Sequence, residues 1–429
     1  MSAAARAVIA WCLVLAVSGC AGWPRSFSAR PCCVDTKLRV RRQPIAWHLF
    51  DVTVLEPIEQ VFHLGRISRK LLGVPIRALN LRDGGVGDSA FFINRDPVQL
   101  TSEDVRWGPS RPDDLPVAPL TITKPKVEGK TAGFFVTDAK GRRYLVKLDP
   151  VDSPELLSGA EVVTSKLLYA LGYHVPSYEV VSFDPAQLRI GDGVQARGAD
   201  GEMHPFDAKR LTALMTPRLR SGRVRAVASR ILDGEILGPA RFKRFRDCAE
   251  VRALRVAYAW LNNIDAKDHN SLLVWDGTKT VGYLIDFGTS LGADAGLGGP
   301  KQSCAGWTYV VDFKEASLEL LTLGRHRPVC DAAHGAVSPS VGFFSEHVDP
   351  DHWKPYVPNR AFTAMTDADA EWMAQRMARL SREQIAAAVS AAQYSRPEDA
   401  AYLVETLDAR RTAIVQHYLD DEVAEARAR

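Results

Sequence analysis

The sequence predicts an α+β fold with two lobes, a small antiparallel sheet followed by a mainly helical lobe. Short strand-like runs separated by glycine-containing turns fill residues 121–148, and apolar residues at helical spacing fill the last sixty residues. The chain has 429 residues, 46% of them hydrophobic and 24% charged, so it can form one large two-lobed domain. The same composition excludes a disordered chain.

Charge and hydropathy exclude two further classes of protein. The chain has 54 Lys and Arg residues against 51 Asp and Glu residues, a net charge of +3, which does not indicate a nucleic-acid partner. Only residues 7–17 are apolar enough to meet a membrane, and they are too few to span a bilayer comfortably. A polytopic membrane protein is therefore excluded.

The first twenty residues have the pattern of an export signal. Arg6 precedes the apolar run, which ends in small residues at 17–19 followed by Cys20. This ending resembles a bacterial lipobox. The resemblance implies that residues 1–19 are a signal peptide, that the Cys20 sulfur carries a lipid such as palmitate, and that the protein is anchored in the cell envelope on its periplasmic or outer face. An ordinary signal peptide or an uncleaved anchor is the alternative.

Turn residues and apolar spacing predict the sheet and the helix after it. Pro125 marks the first strand as an edge strand, because proline cannot donate a ladder hydrogen bond. Residues 128–133 form a glycine-containing turn, and residues 138–141 form a hairpin turn. A helix begins at Pro154 and ends at Gly172. The predicted strands are residues 121–127, 134–137, 143–148 and 175–183, of which the first three pair antiparallel.

Composition divides the rest of the chain. Residues 20–37 are polar without a period and are predicted to be a tether, and residues 38–118 are predicted to be an N-terminal extension. Residues 184–245 are Arg-rich and poorly periodic. The remaining predicted elements are a helix at 248–261, a hairpin of strands 271–275 and 281–285, a helical piece near 313–323, and helices between 361 and 429 that pack on the helical lobe.

Capping residues and an apolar stripe support the C-terminal helices. The first of the two capping boxes lies near residue 381 and the second near residue 395. The residues concerned are Ser381 with Gln384, Ser395 with Glu398, and Leu403, Leu407 and Ile414 in the stripe.

The cysteines indicate disulfides rather than a metal site. The chain has seven cysteines and no CxxC pair, which argues against zinc. In an oxidising compartment such residues form disulfides or remain buried thiols. Cys304 and Cys330 lie in one loop-rich segment and are the pair that we expect.

Five short motifs follow one another in an order that carries the functional prediction. They are a glycine turn between strands, a lysine on the third strand, an acidic helix, an Asp-x-Lys-x-x-Asn loop, and Asp-Phe-Gly after a hairpin. In the sequence they are EGKTAGF at 128–134, YLVKLD at 144–149, SGAEVV at 158–163, NNIDAKDHNSLLV at 262–274 and YLIDFGTSLG at 283–292. This order resembles the layout of protein kinase-like proteins.

Individual segments resemble particular kinase-like families. The 262–274 loop is similar to HipA-type kinases, and IDFG at 285–288 is similar to phosphatidylinositol kinases. The segments SAFFINRDP, GKTAGFFV and LYALGYHVP resemble a family of uncharacterised bacterial kinase-like proteins. The resemblance covers roughly residues 85–295. It implies a kinase-like domain at 119–360, with the sheet lobe at about 119–185 and the helical lobe from about 240.

The resemblance implies that ATP and Mg²⁺ bind between the lobes. Phosphoryl transfer depends on positioning and charge neutralisation, so cations and backbone amides are needed at the phosphates. Gly129, Lys130 and Gly133 would lie in the turn over the phosphates. Lys147 would hold the α- and β-phosphates, with Glu161 on the next helix as its partner.

The same resemblance assigns the other end of the site. Asn270 and Asp286 would bind Mg²⁺ through hard oxygen ligands. Asp265 would orient the acceptor hydroxyl and accept its proton, and Lys267 would balance the charge of the transferring phosphate. The acceptor itself, whether protein, lipid or small molecule, is not indicated.

Each of these residues also has a purely structural interpretation. A lysine in an apolar strand can snorkel, the glycines can serve turn geometry, and Asp286 can cap a turn. Glu155 competes with Glu161 for Lys147, but a carboxylate at a helix start is also explained by the helix dipole. His269 is equally compatible with a structural hydrogen bond and with catalysis.

The motifs depart from protein kinases at two points. Asn263 and Ile264 stand where His-Arg would precede Asp265, and no Ala-Pro-Glu follows the Asp-Phe-Gly motif. These departures argue against control by activation-loop phosphorylation and against a protein substrate.

Two other classes of function remain. Gly288 to Gly292 fits a G-x-S-x-G nucleophile elbow around Ser290, with Asp312 and His326 or His334 downstream in hydrolase order. An elbow must lead into a helix, however, and the glycines at 296–299 oppose one. The other class is a nucleotide-binding pseudokinase scaffold, because ATP is scarce outside the cytoplasm.

Overall fold

The structure is a computed structural model that describes residues 32–40, 44–55, 77–82, 85–126, 131–198, 201–326 and 335–420. The signal sequence with Cys20, the turn residues Gly129 and Lys130, and the residues Cys330 and His334 lie outside this range. Within it, no helix is long and apolar enough to cross a membrane.

The described residues form nine α-helices, numbered along the chain. They are α1 (Ile45–Phe50), α2 (Ser102–Trp107), α3 (Leu156–Ala170), α4 (Ala208–Met215), α5 (Ala249–Trp260), α6 (Phe313–Leu321), α7 (Asp367–Ala378), α8 (Arg382–Ser390) and α9 (Pro397–Leu419). A short π-helix, Asp51–Leu55, continues α1.

The same part of the chain forms sixteen strands. They are β1 (Leu81–Arg82), β2 (Gly85–Val86), β3 (Leu120–Pro125), β4 (Gly133–Thr137), β5 (Arg143–Leu148), β6 (Tyr178–Phe183), β7 (Leu188–Ile190), β8 (Gln195–Arg197), β9 (Met203–Pro205), β10 (Leu219–Arg220), β11 (Arg223–Arg230), β12 (Glu235–Gly238), β13 (Ser271–Trp275), β14 (Thr280–Leu284), β15 (Ala293–Asp294) and β16 (Gly299–Pro300).

A seven-stranded sheet makes the first lobe. Strands β3, β4 and β5 pair antiparallel as predicted, and β11 pairs antiparallel with both β5 and β6. Strand β7 runs parallel to β3 over Leu120–Ile122, so the prediction that Pro125 marks a free edge is wrong for that half of β3. Pro125 itself pairs with Phe134 and lies beyond the contact with β7.

Local turn chemistry explains the hairpin between β4 and β5. The Asp138 carboxylate accepts the backbone amides of Lys140 and Arg142 at 2.9 and 2.8 Å. Gly141 has a φ of 77°, which glycine adopts without strain. An aspartate followed three residues later by a glycine therefore supplies the local contacts that form this turn.

Helices form most of the second lobe, and the described residues have the predicted α+β fold. Helix α5 packs against α7 and α9, and α8 packs against α2 and α3. The β13–β14 hairpin lies beside β12. Helix α3 connects the lobes: fourteen of its fifteen residues are buried, because the sheet, α2 and α8 surround it.

One predicted helix cap is confirmed and the other is wrong. Ser381 caps α8, with its hydroxyl accepting the Gln384 amide. Helix α9 begins at Pro397 with Arg396 as its N-cap. Ser395 precedes the helix, and its amide donates to Glu155 Oε2 at 3.0 Å, so tertiary contact displaces the expected cap.

A disulfide joins the N-terminal part to the helical lobe. Cys32 and Cys248 are bonded across 216 residues, and Cys248 is the N-cap of α5. Cys304 is also disulfide-bonded. Since Cys330 lies outside the described residues, the Cys304–Cys330 pairing remains a prediction.

Candidate active site

A buried lysine joins both lobes at the bottom of the cleft. Lys147 on β5 donates through Nζ to Glu161 Oε1 on α3 at 2.5 Å and to Asp286 Oδ1 after β14 at 2.8 Å. The Lys147 and Glu161 side chains are 5% and 2% exposed, whereas that of Asp286 is 43% exposed. Glu155, the alternative partner, instead accepts the Ser395 amide.

The charges of this triad are set by burial and by the sharing of one ammonium between two carboxylates. Burial lowers the pKa of Lys147, but Asp286 and Glu161 overcome this effect and raise the pKa above its usual value. Burial raises the pKa of Glu161 to about 7 despite Lys147. Burial also tends to raise the pKa of Asp286, but Lys147 holds the pKa of that carboxyl below its usual value. The lysine is therefore protonated, and the ionised carboxylate is the one open to the cleft.

Close packing of β4 against β5 positions the lysine. Gly133 pairs with Lys147 across the two strands. A Cβ on Gly133 would lie 2.3 Å from the Val146 carbonyl oxygen, so the absence of a side chain is needed for the strand contact. Gly133 thus begins a strand rather than ending the turn. That Gly129, Lys130 and Gly133 approach the phosphates of a nucleotide remains a prediction.

Tyr178 fixes the Asp-Phe-Gly motif and was missed by sequence analysis. Its hydroxyl accepts the Asp286 amide at 3.1 Å, and its ring lies 5.5 Å from the buried Phe287 ring. Asp286 has a φ of 61°, a conformation that non-glycine residues adopt only where surrounding contacts enforce it. No local pattern distinguishes Tyr178 from any other buried strand tyrosine.

The loop at 262–270 brings the other predicted residues together. Lys267 Nζ donates to Asp265 Oδ2 at 2.5 Å, and Asn270 Nδ2 donates to the Asp265 carbonyl at 2.8 Å. Burial raises the pKa of Asp265, and Lys267 opposes that rise. Because the amide nitrogen of Asn270 is engaged, its amide oxygen is the atom left for a metal.

Distant segments support this loop. The Ile264 carbonyl accepts the Tyr356 amide at 2.7 Å, and Asn359 Nδ2 donates to the Ala266 carbonyl at 2.9 Å. The Ile264 amide donates to Thr289 after the Asp-Phe-Gly motif at 3.3 Å. These supports come from residues that are far apart in sequence, so no motif identified Tyr356 or Asn359.

The two unassigned loop residues face the N-terminal extension. His48 on α1 lies 3.5 Å from Asp268 through Nδ1 and Oδ2, and its ring lies 5.0 Å from that of His269. Burial and the nearby positive charges lower the pKa of His48 to about 4. His48 is therefore neutral at physiological pH, and this contact packs α1 against the loop.

The geometry does not favour a nucleophilic serine. Ser290 is fully buried, and its Oγ has no hydrogen-bond partner among the described residues. The segment after it forms turns and the short strand β15 rather than a helix. His326 contacts Glu315 at 2.6 Å, and Asp312 pairs with Lys354 at 2.6 Å. Neither residue is engaged in a triad with Ser290.

The lobes and the cleft together define the class of the protein. A small sheet lobe carries a lysine paired with a helix glutamate, and a helical lobe presents an Asp-x-Lys-x-x-Asn loop beside an Asp-Phe-Gly motif. This is a kinase-like fold. Lys147 binds Asp286, the Ile285 amide donates to the Asn270 carbonyl at 3.0 Å, and the charge of Asp286 acts on the Asp265 carboxyl. The cation, the two candidate metal ligands and the candidate base therefore lie near one another.

Known proteins resemble this chain only distantly. No family model and no curated protein matches the chain. Among solved structures, the Helicobacter pylori proinflammatory kinase CtkA is 12% identical, with a TM-score of 0.38, over 73% of this chain and 97% of its own.

The Golgi casein kinase is also similar. One structure of it is 9% identical with a TM-score of 0.28 and covers 91% of this chain and 94% of its own. A second, with Mn/ADP bound, is 9% identical with a TM-score of 0.29 and covers 94% and 96%.

Proposed function

We propose that the protein is an ATP-dependent phosphotransferase of the atypical kinase-like type. The observation that carries the proposal is the sharing of Lys147 between Glu161 and Asp286. A protonated lysine held at the floor of a cleft is suited to bind phosphate oxygens, because charge-assisted hydrogen bonds are the strongest that a side chain offers. The residue types and their order in the chain are those of phosphoryl-transfer sites.

The donor set fits Mg²⁺. Asp286 is ionised and 43% exposed. Asn270 accepts the amide of Ile285, the residue before Asp286, at 3.0 Å, and its side-chain oxygen is the atom left for a metal because its side-chain nitrogen donates to Asp265. Oxygen ligands of this kind suit a hard divalent cation that also keeps waters and phosphate oxygens. When bound, Mg²⁺ would neutralise negative charge on the phosphates.

The remaining residues account for transfer to a hydroxyl acceptor. Asp265 would orient the hydroxyl and accept its proton as the oxygen bonds to the γ-phosphorus and the bond from that phosphorus to the β-phosphate oxygen breaks. Burial raises the pKa of Asp265, which makes it a better proton acceptor than an exposed aspartate. Lys267 lies 2.5 Å from this carboxylate and would balance the charge that develops.

We further propose that the protein acts outside the cytoplasm on a lipid anchor at Cys20. The Cys32–Cys248 disulfide supports this location, since such bonds persist mainly in oxidising compartments. Cys20→Ser should release the protein from the membrane fraction. Unchanged attachment and unchanged precursor size would contradict the anchor.

The decisive experiment incubates the form that begins at Cys20 with labelled ATP and Mg²⁺. We expect a labelled protein, lipid or small-molecule product that is lost in Asp286→Asn. Binding of ATP without any product would favour the pseudokinase scaffold. Absence of both binding and product would overturn the proposal. Labelling of Ser290 by a serine-hydrolase probe would favour the hydrolase instead.

A further inference from the structure

A second connection joins β5 to α3 beside the Lys147–Glu161 pair. Asp149, two residues beyond Lys147, accepts the Ser158 amide at 2.8 Å and the Ser158 hydroxyl at 2.7 Å. Ser158 lies three residues before Glu161, hence on the same side of the helix. Asp149 and Ser158 are 5% and 1% exposed. The Asp149–Ser158 contact therefore joins β5 to α3 within three residues of the Lys147–Glu161 pair.

Arg225 on β11 extends this connection to the C-terminal helices. Its Nε donates to Ser158 Oγ at 3.0 Å, and its guanidinium lies 3.8 Å from Asp149 Oδ2. The two remaining nitrogens donate to backbone carbonyls of the turn between α8 and α9, to Gln393 at 2.8 Å and to Ala392. One side chain therefore bonds the sheet, α3 and the α8–α9 turn.

The turn at 391–395 also contacts the start of α3 directly. Tyr394 fills a notch on the helix, where a Cβ on Gly159 would lie 2.2 Å from the tyrosine hydroxyl. The Ser395 amide donates to Glu155 Oε2 at 3.0 Å. These contacts seat the turn on the first turn of α3 at two points besides Arg225.

We propose that Asp149, Ser158 and Arg225 are positioning residues that hold Glu161 against Lys147, and that the 391–395 turn is part of this support. The C-terminal helices then support the proposed nucleotide site indirectly, through the 391–395 turn and α3. Removing the Arg225 guanidinium detaches the turn and loosens the start of α3. The effect on phosphoryl transfer rests on the proposed function, whereas the effect on the lysine pair does not.

The first test needs no nucleotide. Arg225→Met keeps the aliphatic stem and removes the donors. We expect an amine-reactive ester to label Lys147 about tenfold faster once Glu161 withdraws, because the ammonium loses one of its two charge-assisted hydrogen bonds. Lys301 provides the internal reference, because it is buried elsewhere and donates to the Leu291 carbonyl at 2.7 Å.

The matched control is Arg382→Met, which removes an arginine from α8 that pairs with Glu405 and Asp408. This variant should label like the parent at both lysines. Unchanged labelling of Lys147 in Arg225→Met would overturn the inference. A parallel rise at Lys301 would also overturn it, because the loosening would then be global.

A double-mutant cycle gives the catalytic readout. Arg225→Met should lower ATP affinity and turnover in the parent and have little further effect in Glu161→Gln, because the arginine acts through that glutamate. Equal losses in both backgrounds would overturn the inference. If the parent binds no ATP, the proposed function fails, and the lysine labelling still decides whether Arg225 positions the pair.

Discussion

The cleft contains two lysine–carboxylate pairs that are held in different ways. Lys147 is 5% exposed and is bound by two carboxylates from distant elements, whereas Lys267 is 22% exposed and bound by Asp265, two residues earlier in its own loop. The geometry of a buried ion pair is fixed by the side chains packed around it, and breaking the pair is costly. A partly exposed pair contributes little free energy and rearranges at small cost. The Lys147 end of the site is thus preformed, and the Asp265 end is adaptable.

The largest expected effect lies at the adaptable end. In Asp265→Asn turnover should fall by about 10² to 10⁴, the usual contribution of a general base. ATP affinity and melting temperature should change little, because Asp265 contacts Lys267 and Asn270 rather than the Lys147 triad. Product formation, ATP affinity and melting should be measured on one preparation. Retained turnover, or parallel loss of all three, would remove Asp265 from the mechanism.

Breaking the preformed pair should affect stability most. Lys147→Met leaves Glu161 and Asp286 facing each other without a cation, and such a loss typically costs about 3 to 5 kcal/mol. ATP affinity should also fall roughly tenfold or more, since a charge-assisted contact is lost. Denaturant unfolding and calorimetry measure the two effects.

A second substitution provides the control for this stability loss. Removal of Lys147 raises the pKa of Glu161 further, so this carboxyl is ionised only at alkaline pH. Adding Glu161→Gln to Lys147→Met should therefore restore stability at alkaline pH, have little effect at pH 5, and restore none of the ATP affinity. A variant that remains equally unstable would show that the loss comes from packing rather than charge.

The pH dependence of stability isolates Glu161. Its pKa is about 7 in the folded protein and 4.5 in the reference state, so the folded state holds the proton more tightly. The resulting stabilisation is complete below pH 4.5 and is lost as pH rises through about 7. Relative to Glu161→Gln, the parent should therefore lose on the order of 3 kcal/mol across this window. Parallel curves for the two proteins would contradict the shifted pKa.

The smallest expected effect comes from Lys267. Lys267→Met should cost about 1 kcal/mol, because the pair is partly exposed and joins two residues of one loop. Because Lys267 opposes the rise in the pKa of Asp265, its removal should move the acid limb of turnover to higher pH. A stability loss as large as that of Lys147→Met would contradict the inference that the Lys267–Asp265 pair is the weaker of the two.

Elements stabilised by local contacts were predicted well. The hairpin closed by Asp138 and Gly141 and the cap at Ser381 depend on residues within four positions of each other. The predicted strand 143–148 agrees with β5, and 271–275 agrees with β13. Turn and cap chemistry acts over these distances in any context, so sequence is sufficient there.

Elements stabilised by distant partners were predicted poorly. Strand β11 falls in the segment described as poorly periodic, because it lies between β5 and β6 and four consecutive residues, Ala226–Ser229, are buried on both faces. A strand buried on both sides lacks the alternation that reveals a strand. The second capping box failed for a similar reason, since Glu155 binds the Ser395 amide.

The sequence alone determined the chemical groups of the site and their order, because residue type and local period are encoded within a few positions. Tertiary structure decided that Lys147 pairs with Glu161 and Asp286 rather than Glu155, that Cys32 joins Cys248, and that Arg225 ties the C-terminal helices to α3. The entropy of closing a loop grows only slowly with its length, so separation along the chain hardly distinguishes distant partners. The choice is made when all elements bury their surfaces together.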